Sequence, residues 1–265
     1  MTLRLLAVHA HPDDESSKGA ATLARYAQEG VDVLVATCTG GERGDVLNPA
    51  LDTPAVRQDL PAIRRREMAA AAEILGVRQQ FLGHVDSGLT EPLPEGSFAA
   101  LSLEDAARPL IALMREFCPH VVITYDETGG YPHPDHIRTH EVTRAAFTAT
   151  DDGTPRKLYY LATLSRTWFQ AMHDATLAAG LESRMGPVLA ELPPDRLPTT
   201  TRIRCDTHFT TRDRALRAHS TQADPAHPFF HHSRDIERAT WPWEDYHLVG
   251  TTGPTPEDDL FAGLR

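Results

Sequence analysis

Over the first 165 residues, short apolar runs of strand length alternate with helix-patterned segments, and this alternation constrains the fold more than any other feature. Residues 3–10 read as a buried strand, an apolar run bounded by polar residues. Residues 16–28 turn helical, with Ala20, Leu23, Ala24 and Ala27 at helical spacing and Gly30 as a stop. Valine-rich residues 31–39 form a second strand ending in Gly40-Gly41. A long helix over 53–75 stops at Gly76, and a short third strand covers 79–83. A helix over 103–117, a strand over 120–126, a helix over 135–148 and a strand over 157–163 complete the series.

Such alternation calls for a mostly parallel sheet with helices on both faces and right-handed crossovers. The expectation is an α/β, Rossmann-like three-layer fold with a smaller irregular C-terminal part. Residues 1–165 are expected to form the catalytic core. Residues 166–265 complete the substrate pocket as one compact unit with it. In that second part, 187–198 is proline-rich and reads as a loop or linker, 206–220 has helix character, and the tail from 225 takes no firm assignment.

With 265 residues the chain can bury a core and an active-site crevice. No stretch approaches the roughly 20 apolar residues of a membrane span. The N-terminal apolar run has Arg4 as its one basic residue and no small-residue cleavage site, so it does not read as a signal peptide. The three cysteines, Cys38, Cys118 and Cys205, are widely spaced and give neither a disulfide framework nor a metal spacing. A cytoplasmic address is expected. A formal net charge of −11 argues against a nucleic-acid partner. The one basic cluster, Arg64-Arg65-Arg66, lies in a helical segment and reads as a solvated helix face.

Two segments carry chemistry. AHPDDES, residues 10–16, begins where the first strand ends, and GGYPHPDHIRTH, residues 129–140, follows the fourth strand. Ligands of open α/β sheets bind beyond the carboxyl ends of parallel strands, so the two can converge. A hydrolytic zinc site needs about three His, Asp or Glu ligands and one open position. His11, Asp13 and Asp14 are on offer from one segment, and His133, Asp135, His136 and His140 from the other. The adjacent carboxylates Asp13 and Asp14 repel unless they share a cation or one turns away, and the expected division is one toward a metal and one toward its water as general base. A single HPDD could equally be a loop cap, with Asp13 or Asp14 capping the helix that follows. HPDD together with HPDH, each at a strand end, favours the metal reading.

These motifs resemble the LmbE/PIG-L family of zinc-dependent N-deacetylases, and within it the mycothiol S-conjugate amidases. The likeness runs through AVHAHPDDESSKGAATLARYAQEG, TGGERGDVLNPA, IRRREMAAAAEILGV, VDSG, YDETGGYPHPDHIRTH, KLYY and RAHSTQ, which together reach across nearly the whole chain. The resemblance implies His11, Asp14 and His136 as metal ligands and Asp13 as general base. It implies that His133 stabilises the oxyanion and helps to protonate the leaving amine. Asp135 would orient His133 and raise its pKa, and Tyr131 would share the oxyanion role. The cofactor implied is Zn2+, with Fe2+ suiting the same two-histidine, one-carboxylate set.

Lys18, Glu42, Arg43 and Asp86 lie in loops after the first three strands, where the family holds glucosamine and inositol hydroxyls. A surface salt-bridge network is the plainer reading of these four. Lys18 in its SSKGA context favours the S-conjugate amidase branch. By the same resemblance His219 and Gln222 are candidate substrate contacts, while His231 and His232 read as surface residues. Residues 164–200 are short and divergent for that branch, where the acyl side of a substrate would be shaped. The activity implied is metal-dependent hydrolysis of an N-acyl bond on a glucosamine-type substrate, most like a mycothiol S-conjugate amidase that releases a mercapturic acid and glucosaminyl-inositol. An N-acetylglucosaminyl-inositol or secondary-metabolite N-deacetylase is the alternative. A sugar-binding protein without catalysis is disfavoured, because a binder needs neither the base nor the oxyanion histidine. The expected partner is a small amino-sugar or thiol-conjugate substrate, with neither nucleic acid nor membrane.

Overall fold

A computed structural model describes residues 2–150, 154–227, 230, 232–250 and 257–264. Its centre is the strand β1 (Arg4–His9), whose side chains from Leu5 onward are all buried, as a strand covered on both faces requires. Beside it lies β2 (Asp32–Thr39), then β3 (Arg78–His84). On the other side come β4 (Val121–Thr124), β5 (Lys157–Leu161), β7 (Trp243–Leu248) and β6 (Thr201–Arg204). The order β3-β2-β1-β4-β5-β7-β6 makes one seven-stranded sheet, parallel from β3 to β5, with β7 antiparallel to both β5 and β6. The chain leaves β1 in one direction and returns to build in the other, so the switch in strand order falls between β1 and β4. That is where an open α/β sheet leaves a crevice.

Alternate residues of the strands feed two cores. Leu6, Val8, Leu34, Ala36 and Val122 pack against α5 (Leu103–Phe117) and α6 (Pro134–Ala149) through Leu110, Met114, Val142 and Ala146. Leu5, Ala7, Val33, Val35 and Ile123 face the opposite way, toward Leu23 and Tyr26 of α2 (Ala20–Gln28) and Met68 of α4 (Leu60–Leu75). The three-layer α/β expectation therefore holds, with strands within a residue or two of their expected bounds.

Helices differ more. The helix expected over 16–28 is two, α1 (Asp14–Ser17) and α2, parted by Gly19 at φ 90°. A Cβ at Gly19 would sit 3.2 Å from both Leu161 and the Tyr246 hydroxyl, and the buried N-terminus of α2 is met by Glu244, which accepts from Ala21 N–H at 3.2 Å and Thr22 N–H at 2.8 Å. The helix expected over 53–75 is also two, α3 (Pro54–Gln58) and α4, because Pro61 has no N–H to continue the ladder.

The last hundred residues are far more regular than their composition suggested. They hold α7 (Arg166–Ala178), α8 (Gly186–Glu191), α9 (Phe209–Ala218), α10 (Arg234–Thr240) and both antiparallel strands of the sheet. The proline-rich 187–198 is thus helical through Glu191 before it becomes a loop. Among the described residues no helix is long and apolar enough to cross a membrane. All three cysteines are free thiols.

Candidate active site

The two motifs start at the carboxyl ends of β1 and β4, which are hydrogen-bonded neighbours at the switch point. From β1 the chain runs through His11 into a tight turn at Asp13, whose φ of 101° is left-handed and costs a non-glycine residue on the order of 1–3 kcal/mol. Asp13 occupies the cap position of α1 yet its side chain makes no capping hydrogen bond, so the plain capping reading does not describe it. Asp14 turns back instead, and its Oδ2 accepts from His11 N–H at 3.0 Å.

From β4 the chain makes a Gly129-Gly130 turn anchored on Asp126, whose Oδ1 accepts from Gly130 N–H at 3.0 Å. Only glycine fits at 129, where φ is 73° and a Cβ would lie 2.5 Å from the His136 Cβ. The close approach lets the His136 Nδ1–H donate to Gly129 O at 2.9 Å. Tyr125 stacks nearly parallel on the same ring at 4.5 Å, and Tyr131 covers it at 4.4 Å. His136 is thus fully fixed, with Nε2 buried, lacking any hydrogen bond and lying 3.3 Å from Asp14 Oδ2. His11 Nδ1 lies 3.6 Å from the same oxygen.

Among the described residues, His11, Asp14 and His136 form one of two buried groups in which the candidate ligand atoms lie within 4.8 Å of one another, and His11, Asp86 and His133 form the other. The described residues therefore include a His/Asp arrangement able to hold a metal ion. The orphaned Nε2 of His136, with its other nitrogen tied to a carbonyl, is the arrangement a metal-ligating histidine adopts. Burial opposes ionisation of Asp14, but His136, Lys18 and His11 outweigh it and hold the carboxyl well below its usual range.

Asp13 points elsewhere. Its Oδ2 lies 3.1 Å from an Arg64 nitrogen, and its side chain keeps 23% of its surface exposed. Burial pushes its pKa up, Arg64 pulls it back, and Asp14 adds to the rise, leaving it above the ordinary aspartate value. Such a carboxylate is better suited to accept a proton than an unperturbed one.

The structure corrects the expected pairing of Asp135 with His133. Asp135 is fully buried, its Oδ2 lies 3.3 Å from His11 Nε2, and the same oxygen accepts from Ser87 N–H at 3.0 Å. His133 touches Asp135 through the backbone: as the cap of α6, its Nδ1 accepts the Asp135 N–H at 3.1 Å. An accepting Nδ1 makes the imidazole neutral with its proton on Nε2. Burial, then the neighbouring His11 charge, push the His133 pKa down to about 4 against the pull of Asp135, the reverse of the expected rise.

The sugar-side residues are also placed differently. Asp86 is no rim residue. It is buried, accepts from Arg43 N–H and Gly88 N–H, and faces His11 Nε2 at 3.7 Å. Glu42 accepts from Asp86 N–H at 3.0 Å, and the Arg43 guanidinium bonds the Asp86 carbonyl. Lys18 Nζ reaches Asp14 Oδ1 at 2.9 Å. Gln222 donates to Asp45 O at 3.0 Å. His219 is wholly buried and pairs with Glu15 at 2.7 Å, so it presents nothing to a crevice. His232 is not a surface residue either: its side chain is buried against Glu237 at 3.0 Å, while His231 lies outside the described residues. Tyr131, 47% exposed, stands at the mouth. His140 faces away from the cluster, with Nδ1 bonded to Tyr125 O.

One residue of the site was expected on a solvated helix face, and another carried no expectation at all. Arg64 is buried rather than solvated, and donates to Gly41 O and Pro12 O, each at 2.7 Å, as well as reaching Asp13. The signal was present: Arg64, Met68, Ala71 and Leu75 share the helical spacing that forms the buried face of α4. Glu15 is the other, wholly buried, with Oε2 accepting from Asp13 N–H at 3.0 Å.

The fold and the donors define a class, α/β proteins with a His/Asp cation site where parallel strands end. The chain belongs to the PIG-L family, whose model, described as GlcNAc-PI de-N-acetylase, matches residues 6–147. Over 99% of this chain and 98% of the relative, it is 49% identical to the mycothiol S-conjugate amidase of Streptomyces coelicolor. It is 39% identical to the 1D-myo-inositol 2-acetamido-2-deoxy-alpha-D-glucopyranoside deacetylase of Geodermatophilus obscurus, covering 98% of each. Among solved structures, the N,N'-diacetylchitobiose deacetylase of Pyrococcus horikoshii shares the fold, with a TM-score of 0.62 at 19% identity, covering 93% of this chain and 83% of that one.

Proposed function

We propose that this chain is a zinc-dependent amidase that hydrolyses the amide bond of mycothiol S-conjugates, releasing a mercapturic acid and glucosaminyl-inositol in the cytoplasm. The observation that carries the reading is a carboxylate, Asp13, next in the chain to Asp14 and within its electrostatic reach but paired with Arg64 outside the His11, Asp14 and His136 cluster, in a chain 49% identical over 99% of its length to such an amidase.

His11 Nδ1, Asp14 Oδ2 and His136 Nε2 would hold the cation, a donor set that suits Zn2+ and also Fe2+. We prefer this group to the one through Asp86 and His133, because the His11 Nε2 side already faces the Asp135 carboxylate. A cation there supplies Lewis acidity, acidifying water and polarising the acyl carbonyl. Asp13, steadied by Arg64, takes the proton from the attacking water. His133 offers its Nε2–H to the oxyanion as a neutral donor, and the Tyr131 hydroxyl at the mouth can join it. The proton held on Asp13 then passes to the departing amine. Lys18, Glu42, Arg43 and Gln222 border the sugar side of this reading. A crevice of about 160 Å3 lined by Gly130, Leu161, Leu164, Arg166, Pro193 and Leu197 opens beside the Tyr131 loop and suits the acyl arm. It draws its walls from both parts of the chain, which supports reading 1–165 and 166–265 as one unit.

A deacetylase of an N-acetylglucosaminyl compound is the second reading, supported by the 39% identical relatives. Amine release from a mycothiol S-conjugate and from the acetylglucosaminyl-inositol compound, side by side, separates the two. The amidase reading expects kcat/KM for the conjugate to be higher by about tenfold or more. Preference for the acetylated compound would overturn it.

A further inference from the structure

The left-handed turn at Asp13 is held from behind. Asp13 N–H donates to Glu15 Oε2 at 3.0 Å, and the other oxygen of Glu15 accepts from the Ser16 hydroxyl and from His219 Nε2, the latter at 2.7 Å. Glu15 and His219 are both 0% exposed. Neither side chain hydrogen-bonds a candidate metal ligand. His219 follows the C-terminus of α9, and that helix packs on α1, α2 and α4. The segment after it is clamped by Glu67 of α4, which accepts from Thr221 N–H at 2.8 Å and from the Ser220 and Thr221 hydroxyls at 2.7 Å each. A chain of buried hydrogen bonds therefore runs from the segment after α9 to a single peptide N–H. A buried carboxylate that spends one oxygen on the backbone of a strained residue fixes the direction of that residue's side chain.

We propose that Glu15, braced by His219, is a positioning residue that holds the Asp13 peptide in its left-handed turn and so aims the Asp13 carboxylate at the reacting water. This rests on the reading of Asp13 as the base. Relaxation of the turn would swing the carboxylate out of line without disturbing His11, Asp14 or His136. Misplacement of a reacting group by about 1 Å can cost on the order of 10²-fold in rate.

The test is a double-mutant cycle on the full chain, with metal content, kcat and KM measured on mycothiol carrying an S-methyl group. Glu15→Ala should keep its metal and its KM while kcat falls by about 10²-fold. Glu15→Gln, which still offers an oxygen to the Asp13 N–H, should recover most of that loss. In the Asp13→Asn background, Glu15→Ala should cost almost nothing further, because its effect passes through Asp13. Additive losses in the cycle, or metal loss in Glu15→Ala, would overturn the positioning role while leaving Asp13 as the base. Full turnover in Asp13→Asn alone would remove the base reading and this one with it. If Glu15→Ala fails to fold, His219→Gln carries the same cycle from the other end of the brace.

Discussion

The carboxylate of Asp135 lies 3.3 Å from Nε2 of His11, while the other ring nitrogen of His11 faces Asp14 at 3.6 Å. A carboxylate behind a ligating imidazole fixes its tautomer and raises its basicity. Asp135→Asn should therefore weaken metal binding by about 10- to 100-fold, as read by competition with a chelator. Unchanged affinity with a fall in kcat alone would return Asp135 to His133.

His133 is held neutral by burial, with a pKa lowered to about 4. A bound cation on the other side of His11 would push the same way. The ring therefore stays an Nε2–H donor as pH rises, and loses that state only below about 4. His133→Ala should keep its metal and lower kcat by about 10²- to 10³-fold, because the lost bond forms mainly in the transition state. Its rate-against-pH profile should keep the parent's shape near neutrality. Disappearance of a basic limb in the variant would show that His133 titrates there.

Asp245 links pH to stability away from the site. Burial lifts its pKa to about 6 from 3.8, against the pull of Arg202 at 3.2 Å and the Trp241 indole N–H at 3.1 Å. The folded chain then binds this proton more tightly than the unfolded one, so the contribution is full below about pH 4 and lost as pH rises through about 6. Asp245→Asn keeps an acceptor for Trp241 and removes the charge. Relative to the parent, the variant should gain about 2 kcal/mol on going from pH 4 to pH 8. The same stability difference at both pH values would refute the linkage.

The parts of this molecule legible in the sequence are those set by local pattern. Leu5, Leu6, Ala7 and Val8 announce a strand buried on both faces, and HPDD and HPDH at two strand ends announce convergence at the switch point. What stayed hidden depends on contacts between distant residues. Nothing local to Asp135 says that its side chain turns to His11, 124 residues away. Nothing in RAHSTQ says that His219 reaches Glu15 instead of a crevice. The antiparallel strands β6 and β7 are short and polar, and exist because each pairs with a neighbour already in the sheet. Arg64 was legible by helical period and was obscured by the charges beside it.

In the proposed mechanism a metal held by His11, Asp14 and His136 works with a separate base, Asp13. Metal content and turnover measured on the same preparations of Asp13→Asn, Asp14→Asn and His136→Ala test it most directly. Asp13→Asn should keep one divalent cation per chain while turnover falls by about 10²- to 10⁴-fold, and Asp14→Asn and His136→Ala should lose the cation along with activity. Equal metal loss in Asp13→Asn and Asp14→Asn, or full occupancy in His136→Ala, would contradict it.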